Sequence, residues 1–152
     1  MSRERQDLLS RSALGVFRLN GQFLTVAEEL ARPAGLTAAW WQVLGAVLGE
    51  PLSVAGIARA MGITRQSVQR IADLLVERGL AEYRPNPAHR RAKLLAPTEE
   101  GRAAITRINP GHAAFADRLA ESFGEGELAE AVGVLERLSK VLDLLGPPVT
   151  EP

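Results

Sequence analysis

The chain has 152 residues, of which 46% are hydrophobic and 24% charged, and this is ordinary for a globular protein with one core. Its 18 basic and 18 acidic side chains cancel, and it has no cysteine, which excludes disulfides, thiolate zinc sites and cysteine redox sensors. No apolar run is long enough to span a membrane and the charged first ten residues lack a signal-peptide pattern, so we expect a cytoplasmic protein without a membrane partner.

Two helices are predicted in the first third of the chain. Apolar side chains on one broad face predict a first helix from Asp7 to about Glu29, which Pro33 ends. Thr37 occupies the N-cap position of a second helix, which ends before Pro51.

Two short helices around a tight turn follow. Ser53 begins the third helix, whose apolar stripe ends at Gly62, and Thr64 caps a fourth helix with a buried stripe from Val68 to Leu75. This order is typical of a helix-turn-helix.

A β-hairpin is predicted after Gly79. Residues 80–84 alternate at period two, Pro85 and Pro87 enclose a turn, and residues 93–96 form a returning strand. We interpret the hairpin as a wing beside the helix-turn-helix.

The C-terminal part is predicted to be helical again. Thr98 caps a helix that ends or bends near Pro110 and reaches about Phe123. The last helix carries a regular apolar stripe between residues 128 and 145.

These elements predict a mostly α fold with a small β-hairpin. We expect an N-terminal dimerisation helix in residues 1–36 and a winged helix-turn-helix DNA-binding lobe in residues 37–97. C-terminal dimerisation helices are expected in residues 98–146, and a disordered tail in residues 147–152. The first and last helices carry more apolar surface than the lobe can cover, so they need each other or a second chain.

The sequence offers little for catalysis. The two histidines, His89 and His112, have no neighbour at metal-ligand spacing, and there is neither a nucleophile elbow nor a phosphate-binding loop. A solvated loop position is the simpler interpretation of His89, and a surface or helix-start position that of His112. We therefore expect no enzyme, no metal and no cofactor.

The charges are distributed unevenly. Residues 59–93 contain eight basic and three acidic side chains, a difference of +5, whereas residues 110–152 contain three and eight, a difference of −5. Such a pattern is typical of a protein that turns one face to phosphate, with chance clustering as the alternative.

The fourth helix carries side chains suited to DNA recognition. With Val68 in the core, its polar face points outward, and Arg and Gln are the residues that pair with guanine and adenine edges. The predicted contacts on this helix are Thr64, Arg65, Gln66, Ser67, Gln69 and Arg70. A merely solvated helix face is the alternative. Ser53 is first of all an N-cap, with a phosphate contact as a second role.

The tip of the hairpin is strongly basic. Arg90, Arg91 and Lys93, together with His89, stand where a wing contacts phosphate or the minor groove. The alternative is that these charges serve solubility and that one arginine braces the wing.

Four segments resemble the MarR family of bacterial and archaeal regulators. They extend from Leu52 to Arg70, from Leu75 to Leu80, from Asn86 to Lys93 and from Leu95 to Gly101. The likeness is tight from about residue 36 to residue 101, and beyond these residues only the helical layout is similar.

The resemblance implies a two-fold dimer built from the N- and C-terminal helices that binds palindromic operators through the fourth helix and the wing. It also implies a small aromatic or acidic effector, for which Trp40 and Trp41 are the candidate residues, although a structural role for both is favoured. The family commonly has Asp-Arg-Arg at the wing tip. Here His89 replaces that aspartate, which puts the orientation of Arg90 in question.

We therefore predict a homodimeric, sequence-specific regulator that binds double-stranded DNA and represses transcription. One alternative is a winged-helix protein-interaction module, whose basic face meets an acidic partner. Another is a dimer that sequesters or converts a small molecule.

Overall fold

The computed structural model describes residues 2–149, which form six α-helices, one short 3-10 helix (Arg32–Ala34) and three short strands. The helices are α1 (Ser2–Ala31), α2 (Ala38–Ala46), α3 (Val54–Met61), α4 (Arg65–Glu77), α5 (Glu99–Phe123) and α6 (Glu125–Leu145). The strands are β1 (Leu52–Ser53), β2 (Ala81–Arg84) and β3 (Leu94–Pro97). This is the predicted mostly α fold. The first helix begins five residues earlier than predicted and includes Gly15 and Gly21 without a break.

Four helices begin at hydroxyl side chains, as the sequence predicted. The Oγ1 atoms of Thr37 and Thr64 and the Oγ atom of Ser53 each accept a backbone N–H from three residues further on, at 3.1 Å. Thr98 does the same at the start of α5. Each cap satisfies a backbone donor that the first turn of a helix leaves without a partner.

The turn between α3 and α4 depends on a glycine. Gly62 has a φ of +68°, and its N–H donates to the carbonyl of Ala58 at 2.9 Å. A left-handed conformation of this kind strains residues that have a Cβ atom, so glycine suits the tight turn of the helix-turn-helix.

The sheet has one strand more than the sequence predicted. Strand β3 lies in the centre, with β2 on one side and β1 on the other, all antiparallel. Leu95 of β3 lies opposite Tyr83 of β2 and Leu52 of β1. The wing is therefore joined directly to the residue pair that leads into α3.

One apolar core lies in the first of two compact units, which ends at Pro110. Leu44, Ile57, Leu75, Leu95 and Ile108 are fully buried there. Three of the four residues predicted for the buried stripe of α4 are buried, and Ile71 is half-buried.

The start of α5 is held tightly against the end of α4. Thr98 donates its hydroxyl proton to the carbonyl of Gly79 at 2.6 Å and its backbone N–H to that of Leu80 at 3.2 Å. Gly101, in the first turn of α5, lies so close that an added Cβ atom would collide with the Leu80 carbonyl oxygen.

The second unit begins at Gly111 and contains the rest of α5 and all of α6. Helix α5 passes through Pro110 without interruption, where the sequence suggested an end or a bend. The apolar stripe of α6 is exposed, as at Leu142 and Leu145. Residues 147–149 form neither helix nor strand, and the rest of the predicted disordered tail, residues 150–152, lies outside the described residues.

Candidate nucleic-acid interface

Helix α4 presents its polar face to solvent. Val68, Ala72 and Leu75 anchor the opposite face in the core. All six side chains predicted as DNA contacts at this helix are exposed, namely Thr64, Arg65, Gln66, Ser67, Gln69 and Arg70. We refer to α4 as the recognition helix.

A cleft of about 570 Å³ separates the recognition helix from the wing, which comprises β2, β3 and the loop between them. The cleft brings together residues from both elements and from the start of α3. Its lining contains six of the predicted contacts, namely Ser53, Arg65, Gln66, Gln69, Arg91 and Lys93. Three of these six are cationic, and among residues 2–149 the lining itself includes no carboxylate, so the lining favours an anion.

Arg70 lies in a different depression. It lines a shallow depression of about 390 Å³ together with Gln66 and Ser67. Gln66 borders both depressions, whereas Arg70 is absent from the cleft beside the wing. The predicted base contacts are therefore spread over two sides of the exposed face of the recognition helix.

Thr64 and Ser67 are engaged with each other at the start of the recognition helix. The Thr64 hydroxyl accepts the Ser67 N–H at 3.1 Å and donates to the Ser67 hydroxyl at 2.9 Å. Ser53 likewise accepts the N–H of Gly56 as the cap of α3 while it lines the cleft. The capping role of Ser53 is thus confirmed, and its phosphate contact stays a prediction.

The tip of the wing is organised by Asn86. Its side-chain oxygen accepts the N–H of Ala88 at 3.0 Å, and its backbone carbonyl accepts the N–H of His89 at 3.2 Å. His89 and Arg90 are exposed at this tip, and neither lines the cleft. Arg91 and Lys93 therefore lie towards the recognition helix, whereas His89 and Arg90 lie at the end of the wing.

Tyr83 of the wing and Asp73 of the recognition helix, which the sequence did not single out, connect the two elements. The Tyr83 hydroxyl donates to Asp73 Oδ1 at 2.6 Å. The Gln69 amide nitrogen donates to the Tyr83 hydroxyl at 2.9 Å and to Asp73 Oδ1 at 3.0 Å. Burial, followed by the hydrogen bond and the charge of Asp73, raises the pKa of Tyr83 to about 12. The hydroxyl is protonated at neutral pH, and it is the donor because a carboxylate oxygen only accepts hydrogen bonds.

The two tryptophans are half-buried and pack against the core of the first unit. The Arg78 guanidinium carbon lies 5.5 Å from the centre of the Trp40 ring, within the range of a cation–π contact. Both positions agree with the structural role that the sequence favoured. Whether they contact an effector stays a prediction.

Among residues 2–149, no helix has the length and apolarity needed to cross a membrane.

Known proteins resemble the chain in sequence and in fold. The family model of the MarR family matches residues 34–92, which cover the recognition helix and most of the wing. An uncharacterised protein of Mycobacterium tuberculosis is 39% identical over 132 residues, which is 87% of this chain and 92% of that relative.

Two solved structures extend the likeness to almost the whole fold. The crystal structure of a MarR family transcription regulator is 25% identical, with a TM-score of 0.75, and the match covers 93% of this chain and 95% of the other. The transcriptional repressor CouR, bound to a 23-mer DNA duplex, is 26% identical, with a TM-score of 0.76 and coverage of 88% and 95%.

Proposed function

This chain belongs to the MarR family of transcriptional regulators, and we propose that it represses transcription as a homodimer that binds palindromic operators. Arg65, Gln66, Gln69 and Arg70 are the proposed base contacts of the recognition helix. Regulators of this family are generally not enzymes, which supports the expectation of a non-catalytic protein at the level of the family.

The cleft between the recognition helix and the wing is the observation that carries the proposal. A DNA-binding protein of this kind needs base-edge contacts and phosphate contacts on adjoining surfaces. Arg65 and Gln66 supply the first type on the helix, and Arg91 and Lys93 supply the second on the wing. The CouR structure, in which a protein of similar fold is bound to duplex DNA, supports DNA as the partner.

A second copy of the chain is the proposed partner of the outer helices. On α1, Leu9 is 68% exposed and Phe17 is 70% exposed, and on α6 Leu142 is 55% exposed. Apolar surfaces of this extent on a monomer indicate an interface. We assign it to a homodimer, which would place two recognition helices at the two halves of a palindrome.

A small aromatic or acidic molecule is the proposed effector that releases the DNA. The half-buried Trp40 ring and the nearby Arg78 guanidinium combine an apolar surface with a cation, which suits an aromatic carboxylate. Titration with aromatic carboxylates should quench tryptophan fluorescence and weaken DNA binding together. If aromatic carboxylates weaken DNA binding of a Trp40→Phe variant as much as that of the wild type, Trp40 is not part of the effector site.

The DNA-binding proposal is tested by selection from a randomised duplex library with the purified protein, followed by footprinting on genomic fragments that contain the selected sequence. The expected result is enrichment of a palindrome and a protected region over both halves. A protein-interaction module would enrich no sequence, and its binding to all duplexes would be equally weak. Repression is then tested with a reporter gene placed behind the selected sequence.

A further inference from the structure

Tyr83 lies where the wing meets the recognition helix. The Lys93 ammonium lies 6.0 Å from the centre of its ring, and its hydroxyl donates to Asp73 at 2.6 Å. The Gln69 amide nitrogen lies 2.9 Å from the hydroxyl oxygen and 3.0 Å from the same carboxylate oxygen. An exposed amide on the face that is proposed to contact bases is thus held by two other side chains.

The chemistry of these partners fixes the orientation of the Gln69 amide. A carboxylate oxygen only accepts hydrogen bonds, so the amide nitrogen has to face Asp73. The Tyr83 hydroxyl gives its single proton to Asp73 and offers only lone pairs to Gln69. A flipped amide would set its oxygen against two acceptors at once, which is unfavourable.

The geometry leaves half of the amide nitrogen's hydrogen-bonding capacity unused. The three contact distances form a nearly equilateral triangle, so the two oxygens subtend an angle at the nitrogen much smaller than that between its two N–H bonds. One N–H is therefore shared between Asp73 and Tyr83 as a three-centre bond. The second N–H and the carbonyl oxygen of Gln69 stay available, and this donor and acceptor are the groups that pair with adenine in the major groove.

We propose that Asp73 and Tyr83 are positioning residues that orient the Gln69 amide for adenine and thereby set the base preference at one position of each half-site. The inference rests on the proposed DNA-binding function. A tethered glutamine loses less side-chain freedom on binding than a free one. Without the tether the amide flips freely, and it then tolerates bases that offer other donor and acceptor patterns.

The test compares the base preferences of the wild type and of Gln69→Ala, Tyr83→Phe and the double variant. The probe is the duplex selected from a randomised library, prepared with each of the four base pairs at every position of one half-site. Gln69→Ala should reduce the preference for adenine about tenfold at a single position, and so identify it. Tyr83→Phe keeps the ring and the net charge, and it should reduce the preference at that same position about three- to tenfold.

The double variant separates positioning from simple packing. If Tyr83 acts through Gln69, the double variant should lose no more preference than Gln69→Ala alone. In all three variants, the base preferences at the other positions should stay within about twofold of the wild type. The salt dependence of binding should also be close to that of the wild type, because the phosphate contacts are intact.

Asp73→Ala provides a second, independent variant on an exposed helix position that tolerates alanine. Removal of a carboxylate should raise the affinity for all duplexes and still reduce the preference at the Gln69 position. Glu77→Ala, one turn further along the same helix, is the charge-matched control and should raise the affinity without a change in preference.

Three outcomes overturn the inference. If Tyr83→Phe weakens all duplexes equally while its melting temperature matches the wild type, the tyrosine only holds the wing. If Gln69→Ala changes no position although the wild type selects a palindrome, the inference fails and the proposed function stands. If the wild type selects no sequence at all, both fail together.

Discussion

Replacement of both Arg90 and Arg91 by alanine tests whether the wing contacts DNA phosphates. The two side chains are exposed, and among residues 2–149 neither forms an ion pair. Binding to phosphate would therefore break no ion pair among these described residues. Arg91 lines the cleft beside the recognition helix, whereas Arg90 lies outside it, so the pair samples two parts of the proposed contact surface.

The expected effect follows from the release of counterions. Each phosphate contact contributes about 0.9 to the slope of log K against log salt, so the double variant should flatten the slope by about 1 to 2 units per wing. Affinity for the selected operator and for random duplex DNA should fall almost alike, because phosphates carry no sequence information.

Arg84→Ala is the matched control on the same wing. The Nε and Nη2 atoms of Arg84 lie 2.9 Å and 2.8 Å from Glu82 Oε1, so much of its charge is already compensated. Its removal should change the slope by well under one unit. The slope is measured by fluorescence anisotropy of a labelled duplex between about 50 and 200 mM salt. A double variant of Arg90 and Arg91 with the wild-type affinity and slope would refute the wing contact.

Three further variants, one of them with a control, test a base contact, the packing of α5 and the dimer. In the same anisotropy assay, Arg65→Ala should weaken binding to the selected operator by about 1–3 kcal/mol per half-site and weaken binding to random DNA less. Equal losses on both would mean that Arg65 contacts phosphate and not a base. Gly101→Ala should lower the free energy of unfolding by about 1–3 kcal/mol in denaturant melts, because the added Cβ atom has no room. Gly45→Ala, a helical site with open space around it, should instead be neutral or stabilising by about 0.5–1 kcal/mol, and equal effects at both sites would contradict the packing argument. Leu142→Glu should weaken the dimer by about 3–5 kcal/mol in sedimentation experiments, since it buries an unpaired charge, whereas an unchanged dimer would exclude the α6 stripe from the interface.

The features that the sequence predicted correctly depend on residues close together in the chain. The caps at Thr37, Ser53, Thr64 and Thr98 were all confirmed, because each bond joins a hydroxyl to an N–H only three residues away. The left-handed Gly62 and the helical stripes of α3 and α4 were predictable for the same reason.

The features that were missed depend on distant residues. Strand β1 has only two residues, too few for an alternating pattern, and it exists because Leu52 pairs with Leu95 far along the chain. The contact of Tyr83 with Asp73 and Gln69 requires the register of β2 against α4, which no local pattern encodes.

The continuity of α5 was also not predictable from local propensity. Proline lacks the N–H that a helix interior uses, so Asn109, Pro110 and Gly111 together indicate a break. The helix nevertheless continues through them, and the boundary between the two compact units falls between Pro110 and Gly111. The sequence predicted an end or a bend of the helix near Pro110, whereas the helix continues.

The attachment of α5 to the end of the recognition helix limits how this protein can be regulated. Thr98 bonds to the carbonyls of Gly79 and Leu80, which connect α4 to β2, and Gly101 lies against the same segment. The first turn of α5 is therefore bonded directly to the segment that joins the recognition helix to the wing. A displacement of this turn of α5 would therefore act at once on the helix that is proposed to contact bases and on the wing that is proposed to contact phosphates.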